Sequence, residues 1–166
     1  RVYGEITGSD ATHLTPRDIF DIAEGTRPGD REAARESFRR FGGVAGDVIS
    51  QALTIIDGIV VLGGGLTGAA KYFMPSLLAE MRGEIGTFAG DRFPRLQMQT
   101  YDLDSPEEAA EFVREKSVPV AVPHSEEHVR YHHIRQTPVV RSKLGASRAI
   151  ALGAYAFAIA ELDRRQ

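Results

Sequence analysis

The sequence predicts an α/β fold that is rich in helix and contains a small sheet. Residues 59–62 form a short apolar run with two adjacent valines, which is typical of a buried strand. Three glycines follow this run, and a helical pattern starts directly after them. Residues 95–101 alternate between apolar and polar side chains, as a second strand does. Because a helix joins the two strands, we expect them to be parallel.

Two helices are predicted before the first strand. Thr15 can cap the first helix, Pro16 suits its first position, and Gly25 ends it. The second helix begins at Asp30 and repeats apolar residues at alternating steps of four and three. We expect one continuous buried stripe along it, made of Ala34, Phe38, Phe41, Ala45, Val48, Ala52 and Ile55.

Glycines interrupt this second helix at Gly42, Gly43 and Gly46, each at a cost of roughly 1 kcal/mol relative to alanine. Such glycines are explained either by a local kink or close packing against another helix, or by backbone that approaches a ligand. The sequence leaves both interpretations open.

The elements after the glycines are predicted from local signals. Residues 66–73 are predicted to form a helix, with a break or kink near Met74 because Pro75 has no amide hydrogen, and a second segment follows over residues 75–85. Further predictions are a helix from Pro106 to about residue 115, an edge strand over 118–122 and a β-rich ribbon or hairpin over 129–140. The last helix, residues 146–162, is crowded with small residues, so we expect it to pack closely against its neighbours.

Composition excludes several classes of function. The chain contains no cysteine, which removes disulfides, thiolate metal sites and cysteine nucleophiles. The net charge of −3 favours neither nucleic acid nor an anionic membrane. No apolar run approaches the roughly 18–20 residues that span a bilayer. Serine-nucleophile, zinc-protease and Walker-lysine motifs are absent, so no catalytic residue is assigned in this chain.

The glycine turn is the first candidate site. Gly63, Gly65 and Gly68 fit the GxGxxG pattern of dinucleotide-binding folds, but this match is weak by itself. A dinucleotide domain needs an acidic residue about 20 positions later, at the end of the next strand. Glu84 falls in a predicted helix and Asp102 lies too far along. A dehydrogenase and a turn without a ligand stay open as alternatives.

Four histidines form a second candidate group. The spacing of four places three of them on one face of a helix or of a strand, which is a plausible metal arrangement. The surrounding residues favour an exposed loop or ribbon instead, and no metal site is predicted. The group consists of His124, His128, His132 and His133.

Two segments of this chain resemble the C-terminal half of ROK-family proteins, which are bacterial sugar kinases of the glucokinase type and their repressor relatives. The first is the apolar run 59–62 with its three glycines and the following helix. The second is residues 142–155, which read Ser-Lys-Leu-Gly-Ala-Ser-Arg-Ala-Ile-Ala-Leu-Gly-Ala-Tyr. The long helix from Asp30 is similar to the family's helix before the glycine strand. The resemblance covers about residues 15–162.

The resemblance implies a fold and a ligand. The fold is the two-lobed actin/hexokinase-like (ribonuclease H-like) ATPase architecture, of which residues 1–166 would form one C-terminal lobe on the ATP side. The glycine turn would lie against the adenosine of ATP, because bare backbone can approach a nucleoside and free amides at a helix start can bond ligand oxygens. The implied nucleotide-binding residues are Gly63, Gly64, Gly65, Leu66 and Thr67.

Other family motifs are missing from this sequence. The Asp-x-Gly-Gly-Thr phosphate loop, the aspartate that acts as base on the sugar, the Gly-Thr-Gly loop and the His/Cys zinc cluster are all absent. We therefore expect a fragment that transfers no phosphoryl group alone, since that reaction needs base, magnesium and both phosphate grips. We also expect apolar surface to be exposed or paired with another copy.

For the whole protein, the resemblance implies an ATP-dependent sugar kinase that uses ATP, Mg²⁺ and a sugar. It would be a cytoplasmic homo-oligomer that binds neither nucleic acid nor membrane through this part. The alternatives are a sugar-responsive transcription repressor of the same family and the NAD(P)-binding domain of a dehydrogenase.

Overall fold

The computed structural model describes residues 1–164, so the last two residues of the predicted lobe lie outside the described part. Helices alternate with short strands along this part of the chain. The helices are α1 (Val2–Thr7), α2 (Pro16–Glu24), α3 (Arg31–Leu53), α4 (Ala70–Met81), α5 (Pro106–Val113) and α6 (Ala146–Asp163). The strands are β1 (Val60–Leu62), β2 (Glu84–Gly86), β3 (Arg92–Pro94), β4 (Gln99–Asp102), β5 (Val118–Ala121), β6 (His128–Tyr131) and β7 (Gln136–Arg141).

A parallel sheet with the strand order β1-β7-β4 forms the centre of the α/β fold. The predicted parallel orientation of the two strands flanking α4 is confirmed. β7, however, lies between them, although its residues were expected in a ribbon or hairpin. Thr137 and Val139 on one face of β7 and Pro138 on the other are all buried, so both faces of the strand are covered, which agrees with its central place. The predicted second strand is also shorter, since β4 begins at Gln99.

β1 is an edge strand of the described sheet, and only β7 pairs with it there. The side chain of Val61 is 60% exposed, whereas Val60 and Leu62 are half-buried. The prediction that this strand is buried on both faces is therefore wrong for the described residues. An apolar run indicates a strand with apolar faces, but it does not show which elements cover those faces.

The contact between α3 and α4 dominates the core, and it explains two of the glycines in α3. A methyl group at Gly42 would collide with the carbonyl oxygen of Phe73, and one at Gly46 would lie 2.5 Å from the carbonyl oxygen of Leu77. The backbones of the two helices therefore touch. Close helix packing, one of the two interpretations of these glycines, is what the structure shows for Gly42 and Gly46, whereas Gly43 has open space around it.

The predicted apolar stripe of α3 is only partly correct. Phe38 is buried, but Val48 is exposed and Ile55, beyond the end of the helix, is 86% exposed. The buried face instead contains Gly42, Gly46, Ser50 and Leu53. Bare backbone lets α4 approach more closely than the bulky stripe would allow, so the helix buries its smallest face.

α4 continues through Pro75, so of the predicted break or kink near Met74 the break is wrong. A 3₁₀ turn, Gly65–Ala69, precedes α4, and the helix ends at Met81 rather than at residue 85. Because Pro75 has no amide hydrogen, the carbonyl oxygen of Lys71 has no helical donor. Both residues are exposed, so this oxygen can accept a hydrogen bond from water. Glu84 and Ile85, which were expected to extend the helix, lie instead in β2 of the β2–β3 hairpin.

Local capping signals are confirmed. The Thr15 hydroxyl accepts a hydrogen bond from the Asp18 amide at 3.2 Å, and the Thr15 amide donates to the Asp18 carboxylate at 2.8 Å. Gly25 ends α2 with a φ of 79°. Ser105 caps α5 through its hydroxyl, which accepts a hydrogen bond from the Glu108 amide at 3.4 Å. The predicted edge strand is also present as β5, which pairs with β6 in an exposed hairpin.

The range of α6 agrees with the prediction, but its packing does not. No residue of α6 is buried, and the aromatic side chains of Tyr155 and Phe157 are both 69% exposed. The prediction that small residues bring this helix close to its neighbours is therefore wrong for the described part of the chain. The exposed apolar surface that the resemblance implies is present on α6 and on the outer side of β1.

A matched pair of substitutions tests the helix contact. Gly42→Ala places a methyl group against the α4 backbone and is expected to lower the free energy of unfolding by about 1–3 kcal/mol. Gly43→Ala meets open space and is expected to raise it by roughly 0.5–1 kcal/mol, since glycine disfavours a helix interior. Urea unfolding measures both values. Equal effects of the two substitutions would contradict the contact.

Candidate functional site

The glycine turn lies at the carboxyl end of β1, beside the end of β7. The amide of Ser142 donates a hydrogen bond to the carbonyl oxygen of Leu62 at 2.8 Å. A Cβ atom built on Gly63 would lie 3.9 Å from the Cβ atom of Ser142. The two segments that carry the family resemblance are thus neighbours in space. Ligands of parallel α/β sheets bind outside the carboxyl ends of the strands, which is this edge.

The backbone of the turn requires glycine at one position. Gly64 has φ 97° and ψ −178°, a region that other residues avoid. The hydroxyl of Thr67 donates to the carbonyl oxygen of Gly64 at 2.7 Å, and the Thr67 amide donates to the same oxygen at 3.2 Å. Thr67 therefore stabilises the shape of the turn, and its hydroxyl proton is already used.

Open space in front of the turn distinguishes these glycines from those of α3. A methyl group built on Gly64, Gly65 or Gly68 would have no atom within 4 Å. Gly65 also has no positive φ, so neither packing nor backbone conformation requires glycine there. Close approach of a ligand to the backbone is one physical reason for a glycine at such a position.

A cavity of about 370 Å³ lies between the turn and the first half of α2. Of the predicted site residues, Gly65 and Leu66 line it, whereas Gly63, Gly64 and Thr67 do not. The whole lining consists of Thr15, Pro16, Arg17 and Phe20 from α2 and its cap, with Gly65, Leu66, Gly68 and Ala69 from the 3₁₀ turn.

The wall formed by α2 was not predicted as part of the site. Thr15 caps α2 and Pro16 is its first residue, so these two residues are explained by the start of the helix and do not indicate a ligand. The signal in the sequence is the pair of Arg17 and Phe20, three positions apart, which places a cation and an aromatic ring on the same face of the helix. The sequence around α2 does not show which other element lies opposite this face.

The chemistry of the cavity combines apolar walls with a cation at its rim. Phe20 and Leu66 supply apolar surface from opposite sides. The guanidinium of Arg17 lies 5.5 Å from the centre of the Phe20 ring and pairs with Asp21 at 3.1 Å. Hydrogen bonds from the Thr15 amide and hydroxyl lower the pKa of Asp18, so this capping carboxylate is ionised at neutral pH. The cavity therefore combines apolar walls with one cation that is already paired with a carboxylate.

A polar contact fixes α2 against α4, which holds the two walls together. The carboxylate of Glu24 accepts from Lys71 at 2.7 Å and from the Tyr72 hydroxyl at 2.7 Å. These contacts, first the Lys71 hydrogen bond and then that from Tyr72, lower the pKa of Glu24 below its ordinary value of 4.5. The contact therefore links the end of α2 to the first turn of α4.

The histidine group has the geometry of an exposed ribbon. His128 is exposed on β6, and His124 has a φ of 62° in the preceding loop. His132 and His133 stack with ring centres 6.3 Å apart, and the Nδ1 atom of His132 lies 2.5 Å from the carbonyl oxygen of Ile134. Residues 1–164 contain no group of three or more His, Cys, Asp or Glu residues that could hold a metal ion.

The arrangement required of a dinucleotide fold is not found in the described residues. Asp102 ends β4, which is separated from β1 by β7, and Glu84 begins the β2 strand of a separate hairpin. Neither carboxylate lies at the end of a strand adjacent to β1. Over residues 1–164, no helix has the length and apolar character needed to cross a membrane.

The special backbone of Gly64 generates a prediction. Gly64→Ala is expected to cost about 1–3 kcal/mol of stability, because alanine is strained at this φ and ψ. Gly65→Ala, the matched control at the adjacent position, is expected to stay within about 0.5 kcal/mol of the unsubstituted chain. Thermal unfolding followed by circular dichroism checks both, and a large loss for Gly65→Ala would show that packing requires this glycine.

The contact of Glu24 gives a pH-dependent prediction. A lowered folded-state pKa contributes stability that is present above about pH 4.5 and is lost as the pH falls through the folded pKa. Glu24→Gln is expected to lower the melting temperature at pH 7, with a difference from the unsubstituted chain that shrinks below pH 4.5. Glu126→Gln, in the exposed loop between β5 and β6, controls for the loss of one carboxylate. A pH-independent difference for Glu24→Gln would contradict the contact.

Comparison with known proteins identifies a related structure. No protein-family model and no curated protein matches the chain. A solved structure, the glucokinase from Parabacteroides distasonis ATCC 8503, matches with 46% sequence identity and a TM-score of 0.78. The match covers 96% of this chain and 42% of that glucokinase, so the chain spans less than half the length of its relative. This chain is therefore related to a glucokinase, and the glucokinase-type resemblance predicted from its sequence is confirmed.

Proposed function

We propose that this chain is the nucleotide-binding C-terminal part of an ATP-dependent sugar kinase, which transfers a phosphoryl group from ATP to a hexose hydroxyl. The glycine turn carries the proposal, because it follows the carboxyl end of β1 and lines a cavity, with open space in front of Gly65. The relation to a glucokinase over 96% of the chain supports the same reaction class.

The cavity beside the turn fits the adenosine end of ATP. Its apolar walls, Phe20 and Leu66, match the faces of a purine ring, and its volume of about 370 Å³ is typical of a small-molecule site. Amides at the start of the 3₁₀ turn have no helical partner and can donate to ligand oxygens. Gly63 and Gly64 shape the approach, and Thr67 holds the turn closed.

In this proposal the chain binds and positions ATP and supplies no catalytic residue. The sequence contains no phosphate loop and no identified base for the sugar hydroxyl. Mg²⁺ commonly enters kinase sites with the phosphates and one or two carboxylates. Residues 1–164 contain no cluster of three such ligands, so we assign no step to Mg²⁺ here. We expect the chain to bind ATP and to lack phosphoryl transfer by itself.

The related glucokinase favours the kinase over the repressor and dehydrogenase alternatives. The sugar partner, a cytoplasmic location and a homo-oligomeric assembly stay predictions from the family resemblance.

A binding measurement tests the nucleotide site. Gly65→Ala places a methyl group at the cavity wall and is expected to weaken ATP binding about tenfold, or ~1.4 kcal/mol, without loss of stability. Gly43→Ala, in the middle of α3 and away from the cavity, is expected to leave the affinity unchanged. Isothermal titration calorimetry measures both. Equal affinities for Gly65→Ala and the unsubstituted chain would remove the glycine turn from the site.

A second measurement tests the reaction class. The enzyme that joins this chain to a lobe with the missing phosphate loop is expected to release ADP only when a hexose is present. The chain by itself is expected to bind ATP without hexose-dependent ADP release. Absence of hexose-dependent ADP release from the longer enzyme, across the common hexoses, would contradict the proposed function.

A further inference from the structure

A second cavity adjoins the cavity at the glycine turn. Its volume is about 330 Å³, and residues of α1, α2, α3 and the 3₁₀ turn line it. Two residues, Pro16 of α2 and Leu66 of the 3₁₀ turn, line both cavities. These two side chains therefore form a partition, with the cavity at the turn on one side of it and the second cavity on the other.

The second cavity has apolar walls that a ligand can reach. Val2, Leu14 and Ile19 line it and are only half-buried, and Phe41 is 42% exposed. Their side chains therefore present accessible apolar surface to the cavity. An apolar cavity of about 150 Å³ is large enough to bind benzene in another protein, so a cavity of about 330 Å³ is sufficient for a phenyl group.

The polar side chains of the second cavity already have partners. The Tyr3 hydroxyl accepts a hydrogen bond from the Asp30 amide at 2.9 Å, and the Ser37 hydroxyl donates to the carbonyl oxygen of Ala33 at 2.7 Å. The guanidinium of Arg1 lies 2.9 Å from a carboxylate oxygen of α1. The cavity therefore favours an apolar group over a polar one.

Both residues of the partition belong to segments that are held in place. Pro16 is the first residue of α2, whose start is fixed by the capping bonds between Thr15 and Asp18. Leu66 lies in the 3₁₀ turn, is half-buried and packs against the hydrophobic core. Because this packing limits the freedom of the side chain, Leu66 blocks the way of a large group.

The structure of a purine nucleotide decides which part of the base meets the partition. Ribose and phosphates are attached through N9, and the C2 and C6 positions lie at the opposite edge of the ring. With the ribose at the open side of the glycine turn, this opposite edge lies deepest in the cavity, next to the partition. An unsubstituted edge ends there, whereas a bulky substituent on it would collide with Leu66.

We propose that Leu66 determines which bases the nucleotide site accepts. It excludes a purine that carries a bulky apolar substituent at C2 or at the C6 amino group, although the second cavity has space for one. This inference rests on the proposed function, because it takes adenosine to lie in the cavity at the glycine turn. It adds a residue that decides specificity and a second cavity that becomes usable when Leu66 is shortened.

Isothermal titration calorimetry of the full chain with ATP, N6-benzyl-ATP and 2-benzylthio-ATP tests the proposal. The unsubstituted chain is expected to bind both analogues at least about tenfold more weakly than ATP. Leu66→Ala removes most of the partition and is expected to bind at least one analogue about tenfold more tightly than the unsubstituted chain does. Its affinity for ATP is expected to fall, because ATP loses contact with the apolar wall that Leu66 forms.

A matched control and a second variant sharpen the test. Leu14→Ala shortens the same type of half-buried side chain, but only in the second cavity, and is expected to give no gain in affinity for either analogue. Pro16→Ala opens the partition from the side of α2 and covers the case in which Leu66→Ala does not fold. It is expected to raise the affinity for the same analogue, and because Pro16 is exposed, we expect the fold to stay intact.

The possible results separate this inference from the proposed function. If ATP binds but neither Leu66→Ala nor Pro16→Ala gains affinity for an analogue, the inference is wrong and the nucleotide site stands. The same holds if the unsubstituted chain binds an analogue as tightly as ATP, or if Leu14→Ala gains as much affinity as Leu66→Ala. Absence of ATP binding to the unsubstituted chain would overturn the proposed function and this inference together.

Discussion

The direct backbone contact between α3 and α4 is the interaction on which the rest of this structure depends. Gly42 and Gly46 allow it, since any side chain at either position would enter the α4 backbone. The contact fixes α4, and the 3₁₀ turn with its glycines directly precedes the first residue of this helix. The stable helix pair therefore positions the glycine turn.

The remaining parts of the candidate site are attached to this helix pair. Tyr72 of α4 stacks on Phe38 of α3 with ring centres 6.0 Å apart, and its hydroxyl donates to Glu24 at the end of α2. The position of the α2 wall therefore depends on its contact with α4. On the other side, pairing of β1 with β7 brings Ser142 next to the glycine turn, so one parallel register joins the two family segments.

Features with a local cause could be predicted from the sequence. The Thr15 cap, the Gly25 end of α2, the glycine turn and the range of α6 each follow from a few neighbouring residues. Features decided by distant partners could not be predicted. The buried face of α3 depends on how closely α4 approaches, the central place of β7 depends on both neighbouring strands, and the continuity of α4 through Pro75 depends on burial of the residues around it. The α2 wall of the site was missed for the same reason, because about 50 residues separate it from the turn that it faces.

The central claim is that the open face of the glycine turn, closed on one side by α2, receives the adenosine of ATP. Amide NMR spectra of the ¹⁵N-labelled chain during a titration with ATP test it most directly. The account predicts saturable shifts at Gly65 and Leu66 of the turn and at Arg17 and Phe20 of α2, with the amides around Thr100 unaffected. Saturable shifts confined to other parts of the chain, or no shifts at these four amides at saturating ATP, would contradict it.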